Sequence, residues 1–187
     1  MIDTKIPIFE VELEDEVGIF AVSLVKNPAM AKNWMAFSED EPVTFAVQDE
    51  EQRKVLSVLL RADYPIIRKD KDGNLFYLLF KAEVIEKLVR RMLANNAQNT
   101  IDLDHNFDYS VEGVEMSEIY IKNTQMGINP KGFEDVADGS AFCVYRIESD
   151  ELWEAVKQGR FNGVSIEAFI NYKKPEMTID DLLSQKS

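Results

Sequence analysis

The chain has one histidine and one cysteine, and these two scarcities remove whole classes of chemistry. A lone cysteine, Cys143, has no partner for an internal disulfide, which fits a reducing compartment. One histidine and one cysteine fall short of a typical structural zinc set, and no cofactor is expected. Basic residues are scarce as well: 21 Lys and Arg stand against 34 Asp and Glu, a net charge of −13. Such a surface repels phosphate backbones and anionic lipid, so neither direct nucleic-acid binding nor a membrane partner is expected. No apolar run approaches the roughly 20 residues of a membrane span, and the opening MIDTKIPIFEVELEDE lacks a basic stretch followed by an apolar one, so no secretory leader is expected either. No internal repeat is visible, and 187 residues suffice for one well-cored domain.

What is present is mostly a period of two. In IFEVELED, Phe9, Val11 and Leu13 alternate with acids, and VGIFAVSLV follows as a more continuous apolar run. The two are expected as paired strands. Pro28 and Pro42 interrupt the next stretch, a loop or short helix. VTFAVQ, RKVLSVLLRAD and LFYLLF then read as a β-meander, with the Asp-Gly of KDKDGN as a hairpin turn. The period changes twice. In KAEVIEKLVRRMLANN the apolar residues Val84, Ile85, Leu88, Val89, Met92 and Leu93 recur every three or four positions, which predicts an amphipathic helix. In ESDELWEAVKQGR a Ser149 or Asp150 cap, a Leu152, Trp153, Val156 stripe and a terminating Gly159 predict another. TIDLDHN, VEMSEIYIKN, SAFCVYRI and GVSIEAFINY return to strand patterns. The fold class expected is α+β and β-rich, with helices packed outside a sheet or barrel. PEMTIDDLLSQKS reads as a terminal short helix or tail.

The chemistry has few places to reside. Any imidazole general base is His105. Strand alternation through IDLDHN sets Ile101, Leu103 and His105 on one face and Asp102, Asp104 and Asn106 on the other. The plainer reading is a strand-end histidine that bonds to nearby polar groups. In NGVSIEAF, Ser165 points with Glu167 away from Val164 and Ile166, beside a Gly163 that leaves space. The plainer reading there is a serine satisfied by a sheet neighbour. Cys143, in the continuous apolar strand AFCVYRI, reads as inert core.

The boxes AVSLVKNPAM, LFYLLFKAEVIEKLVRRML, IDLDHN, SEIYI and ELWEAVKQGRFNGVSIEAF decide between these readings by their order. Together they resemble the phage prohead (capsid maturation) serine proteases, in the XkdF-like branch of the group that shares the herpesvirus assemblin fold. The resemblance spans roughly residues 17 to 170. It implies an assemblin-like antiparallel β-barrel or sheet core with flanking helices, a protease domain over 1–174 and a terminal segment over 175–187. It implies Ser165 as nucleophile, His105 as general base and no cofactor. It also implies an endopeptidase that trims scaffold and major capsid protein precursors, and its own chain, inside the immature prohead in the host cytoplasm. Those precursors and self-association are the partners expected. The herpesvirus relatives use a second histidine as third member; none exists here, so an acid must serve. A hairpin centred between Val111 and Glu112 sets Glu118 opposite His105, with β-carbons roughly 4.5–5.5 Å apart. Glu118 is therefore the third candidate, with Asp102, Asp104, Asp108 and Glu167 behind it. A catalytically silent β-rich capsid or scaffold-binding module is the alternative function, since fold alone does not establish activity. Hydrolysis by paired carboxylates is weaker, because 34 acids form near pairs by chance.

Overall fold

The computed structural model describes residues 6–12, 18–25, 46–69, 72–103, 111–169, 171–172 and 177–178. Twelve strands and two helices occupy them. β1 (Pro7–Glu12), β5 (Ile66–Lys69), β6 (Leu75–Leu79), β11 (Asn171–Tyr172) and β12 (Met177–Thr178) form one sheet, ordered β11-β1-β6-β5 with β12 also on β1. β2 (Gly18–Val25), β7 (Ile101–Leu103) and β10 (Gly163–Phe169) form a second, ordered β10-β2-β7. β3 (Ala46–Asp49), β4 (Lys54–Leu60), β8 (Val114–Ile121) and β9 (Ala141–Ile147) form a third, ordered β3-β4-β9-β8 and antiparallel throughout.

The β-rich class with two helices is as expected, whereas the barrel is not: among the described residues no sheet closes on itself. The antiparallel expectation also fails twice, because β1 pairs with β6 and β2 with β7 in parallel. β1 and β2, expected as partners, belong to different sheets. The meander is likewise divided. β3 and β4 pair in one sheet, while β6 pairs in another with β5, a four-residue strand that the pattern did not announce. The KDKDGN turn does join a hairpin, between β5 and β6, with Lys69 opposite Leu75 and Gly73 at φ +85°, a value only glycine adopts without strain.

Burial explains how three small sheets share a core. α1 (Ala82–Ala94) turns Val84, Ile85, Leu88, Val89 and Met92 inward and leaves Leu93 exposed. This stripe packs with Val22, Leu24, Leu59, Leu78, Cys143 and Tyr145 from all three sheets. α2 (Asp150–Lys157) starts where the Ser149 hydroxyl accepts the Leu152 N–H at 3.3 Å, and Gly159 follows it at φ +68°. β1 alternates in facing but is apolar on both sides: Val11 and Phe9 join the main core, while Ile8 packs on the other face with Tyr77 and Leu79. β4 is also covered on both faces, because Leu56 and Val58 pack beneath Phe133, Val136, Phe142 and Val144. The loop carrying Phe133 and Val136 is held by buried Lys122, whose Nζ donates to the Phe133 and Glu134 carbonyls at 2.8 and 3.1 Å.

Met177–Thr178, past the expected boundary at 174, pairs with Ile8 and Pro7. The rest of the expected terminal helix or tail, and the loop carrying Pro28 and Pro42, lie outside the described residues.

Candidate active site

Two registers in the sheet β10-β2-β7 set the site. β10 runs antiparallel to β2 with Ser165 opposite Ser23, and β2 runs parallel to β7 with Ser23 beside Asp102. Laterally paired residues share a face, so Ser165, Ser23 and Asp102 stand in one row across three strands. Their neighbours Val164, Ile166, Val22, Leu24, Ile101 and Leu103 all point to the main core, which confirms the alternation expected through GVSIE. The row is buried: Ser165 is 8% exposed, Ser23 0% and Asp102 3%.

The three polar groups are not equally engaged. Ser23 is engaged in an interaction of its own, and the Ser165 side chain is buried. Both carboxylate oxygens of Asp102 are also buried without a partner. Desolvating an unpaired carboxylate costs several kcal/mol even after relaxation. Two residues beyond Ser165 the register slips between Glu167 and Ala168, leaving Phe20 of β2 as the extra residue. Such a bulge increases local twist at a sheet's end.

Glu118 does not stand where the hairpin argument put it. β8 pairs with β9, and Glu118 lies opposite Val144. β7 takes β2 as its partner instead. The two segments meet where the Met116 N–H donates to Asn99 Oδ1 at 3.0 Å and the Val111 N–H to the Ile101 carbonyl at 3.2 Å. Glu118 shares the outer face of its sheet with Val144 and Tyr120 and is exposed, with Lys54 Nζ at 3.3 Å from Oε1. His105, Asp104 and Asp108 lie outside the described residues, as does the Glu167 side chain.

Other reactive groups are accounted for by packing. Cys143 is fully buried with Sγ 3.7 Å from the Ser57 carbonyl, and burial pushes its thiol pKa up, away from the thiolate. Arg61, buried, pairs with Asp135 at 3.5 Å and lies 4.4 Å from the centre of the Tyr64 ring. Burial there raises the Tyr64 hydroxyl to about 12. Among the described residues no three His, Cys, Asp or Glu side chains are grouped to hold a metal.

Ser23 was not anticipated, although its signal was present. AVSLV and GVSIE each place a serine after valine and before an aliphatic residue in a buried strand, and these are the serines that face each other.

The described chain is β-rich with two helices, and Ser165 and Asp102 share one buried row with Ser23 between them. The family model described as "Putative phage serine protease XkdF" matches residues 42–173, more than two thirds of the chain, and the chain belongs to that family. The matched span includes Asp102, His105 and Ser165 and excludes Ser23. No curated protein and no solved structure matches the chain.

Proposed function

We propose that the chain is a prohead maturation endopeptidase in which Ser165 is the nucleophile and His105 the general base. The reading is supported above all by Ser165, which stands on β10 in one buried row with Ser23 and Asp102, within the segment that matches the protease family. A serine hydroxyl attacks an amide only when a base within hydrogen-bond reach takes its proton during attack. His105 is the one imidazole in the chain. It accepts the Ser165 proton as the Oγ–carbon bond forms, then gives it to the leaving amine as the peptide bond breaks. Water repeats the sequence on the acyl-enzyme and restores the serine.

Scaffold and major capsid protein precursors are the proposed substrates, with the enzyme's own chain as another, inside an immature shell in the host cytoplasm. An assemblin-like relationship belongs to the same proposal, carried by the ordered boxes of the sequence. A fluorophosphonate probe on the native chain tests the nucleophile. Labelling maps to Ser165 and is lost in a folded Ser165→Ala variant. Processing of co-expressed precursors, read from new termini by mass mapping, is lost equally in Ser165→Ala, His105→Ala and the double variant, because members of one catalytic unit do not add. Processing by a folded Ser165→Ala chain overturns the assignment.

A further inference from the structure

Opposite the apolar stripe that joins the three sheets, α1 presents Lys87, Arg90, Arg91 and Ala94, which helical spacing sets in one row. Lys87, Arg90 and Ala94 are exposed, and Arg91 is half-buried with an interaction of its own. Among the described residues these four line an open concavity. Leu93, 40% exposed, stands at its flank one turn on from Arg90. Like charges at such spacings destabilise a helix. The negative end of the helix dipole offsets that cost for Arg91 in the last turn, but its effect fades within a turn and does not reach Lys87. Glu83 and Glu86 lie four residues before Lys87 and Arg90, yet the ion pairs of the described residues fall elsewhere, on Arg53, Lys54, Arg61, Lys81, Arg146 and Lys157. The three cations lie within about 6 Å of one another along the helix axis. That is less than the roughly 8 Å over which physiological salt screens charge, so a partner meets them as one field.

We propose that this face of α1 is a docking surface for an acidic peptide segment of a partner protein. Such a segment sets carboxylates against Lys87, Arg90 and Arg91 and an apolar side chain against Leu93 and Ala94. Charge complementarity selects that occupant. A chain of net charge −13 repels acidic partners in general, so an acidic segment that binds must be received where the local sign is reversed, as it is here. The same net charge disfavours the other anionic occupants. Duplex nucleic acid gains its affinity from counterions released at several phosphates together, about 6–10 in strong binders, and three cations on so acidic a chain supply little of that. A second copy brings its own −13, and two such surfaces repel at long range. Leu93 separates the choices further, because a phosphate backbone offers nothing to an exposed leucine, whereas a peptide buries it. None of these residues belongs to the row that carries Ser165, and docking here requires no peptide-bond chemistry.

The full-length chain is titrated into a fluorescein-labelled synthetic peptide of Glu-Glu-Leu repeats, with affinity read from fluorescence anisotropy at low and at physiological salt. Saturable binding that weakens with salt is expected. Lys87→Glu with Arg90→Glu lowers affinity by about 10-fold or more, whereas Lys131→Glu with Arg160→Glu, an equal charge change at exposed positions elsewhere, stays within about threefold of wild type. Leu93→Ser lowers affinity by about threefold or more. Melting temperatures show whether each variant is folded. If the charge-reversed α1 pair is not, Lys87→Gln with Arg90→Gln decides: weaker binding supports the proposal, and unchanged affinity overturns it. Absence of saturable binding by the wild-type chain overturns the proposal, as does an equal loss in both charge-reversed pairs. Tighter binding of a single-stranded DNA of equal charge overturns it in favour of a nucleic acid. A wild-type dimer in sedimentation that Lys87→Glu with Arg90→Glu dissolves overturns it in favour of a second copy.

Discussion

At the scale of single residues, the difference between Glu118 and Asp102 is one of desolvation. Glu118 lies at the surface with its side chain 44% exposed and Lys54 beside it, where solvent screens the pair and its contribution is within about 1 kcal/mol. Glu118→Gln is therefore expected to leave precursor processing unchanged and to shift stability by no more than that, read from a urea midpoint. A 100-fold loss of processing in the folded variant would restore Glu118 to the site. That Ser165 turns away from the core was legible from alternation, because neighbouring valine and isoleucine define the core face of a strand, whereas its proposed role came from the resemblance. The surroundings of Glu118 were not legible, because they depend on which strand lies beside β7. Strand partners are chosen by long-range packing, so nearness along the chain misled: Val111 returns to Ile101, yet β8 continues along β9.

Among the elements, the helices were the most legible, since a 3.6-residue period states both the element and its buried face. In α1 five of the six stripe residues are buried, and Leu93, in the last turn, is the exception. Leu88 is fully buried in the cluster that joins the sheets. Leu88→Ala is expected to cost about 2–5 kcal/mol, measured by urea unfolding, and a cost below about 1 kcal/mol would show that α1 does not anchor that core. Strands were legible as strands but not as neighbours, because a period of two fixes faces and leaves partners open. β2 shows this most clearly. Its continuous apolar run suits a strand buried on both faces with partners on both edges, which is the place it takes between β10 and β7. β5 was missed because four residues, IIRK, are too few to show a period.

Over the whole molecule, the consequence of β2's position is that the segment matching the protease family does not contain the whole of the sheet that carries Ser165. Residues 42–173 include Asp102, His105 and Ser165 but omit the strand that both β7 and β10 bond to. A fragment limited to that span is expected to show no fluorophosphonate labelling at Ser165. Adding the missing residues 1–41 as a separate peptide tests whether the strand alone is lacking. Wild-type labelling of the fragment by itself would show that the row across the three strands is dispensable.

The middle strand of that row comes from residues 18–25, while the strand bearing the nucleophile comes from residues 163–169. On a ribosome adding roughly 5–20 residues each second, Ser23 leaves the peptidyl-transferase centre some 7–28 s before Ser165 does. Throughout that interval the nascent polypeptide lacks its proposed nucleophile. A protease whose own chain is among its proposed substrates therefore carries a translational delay in its topology, and it acquires cutting power only after the strand bearing Ser165 has been made.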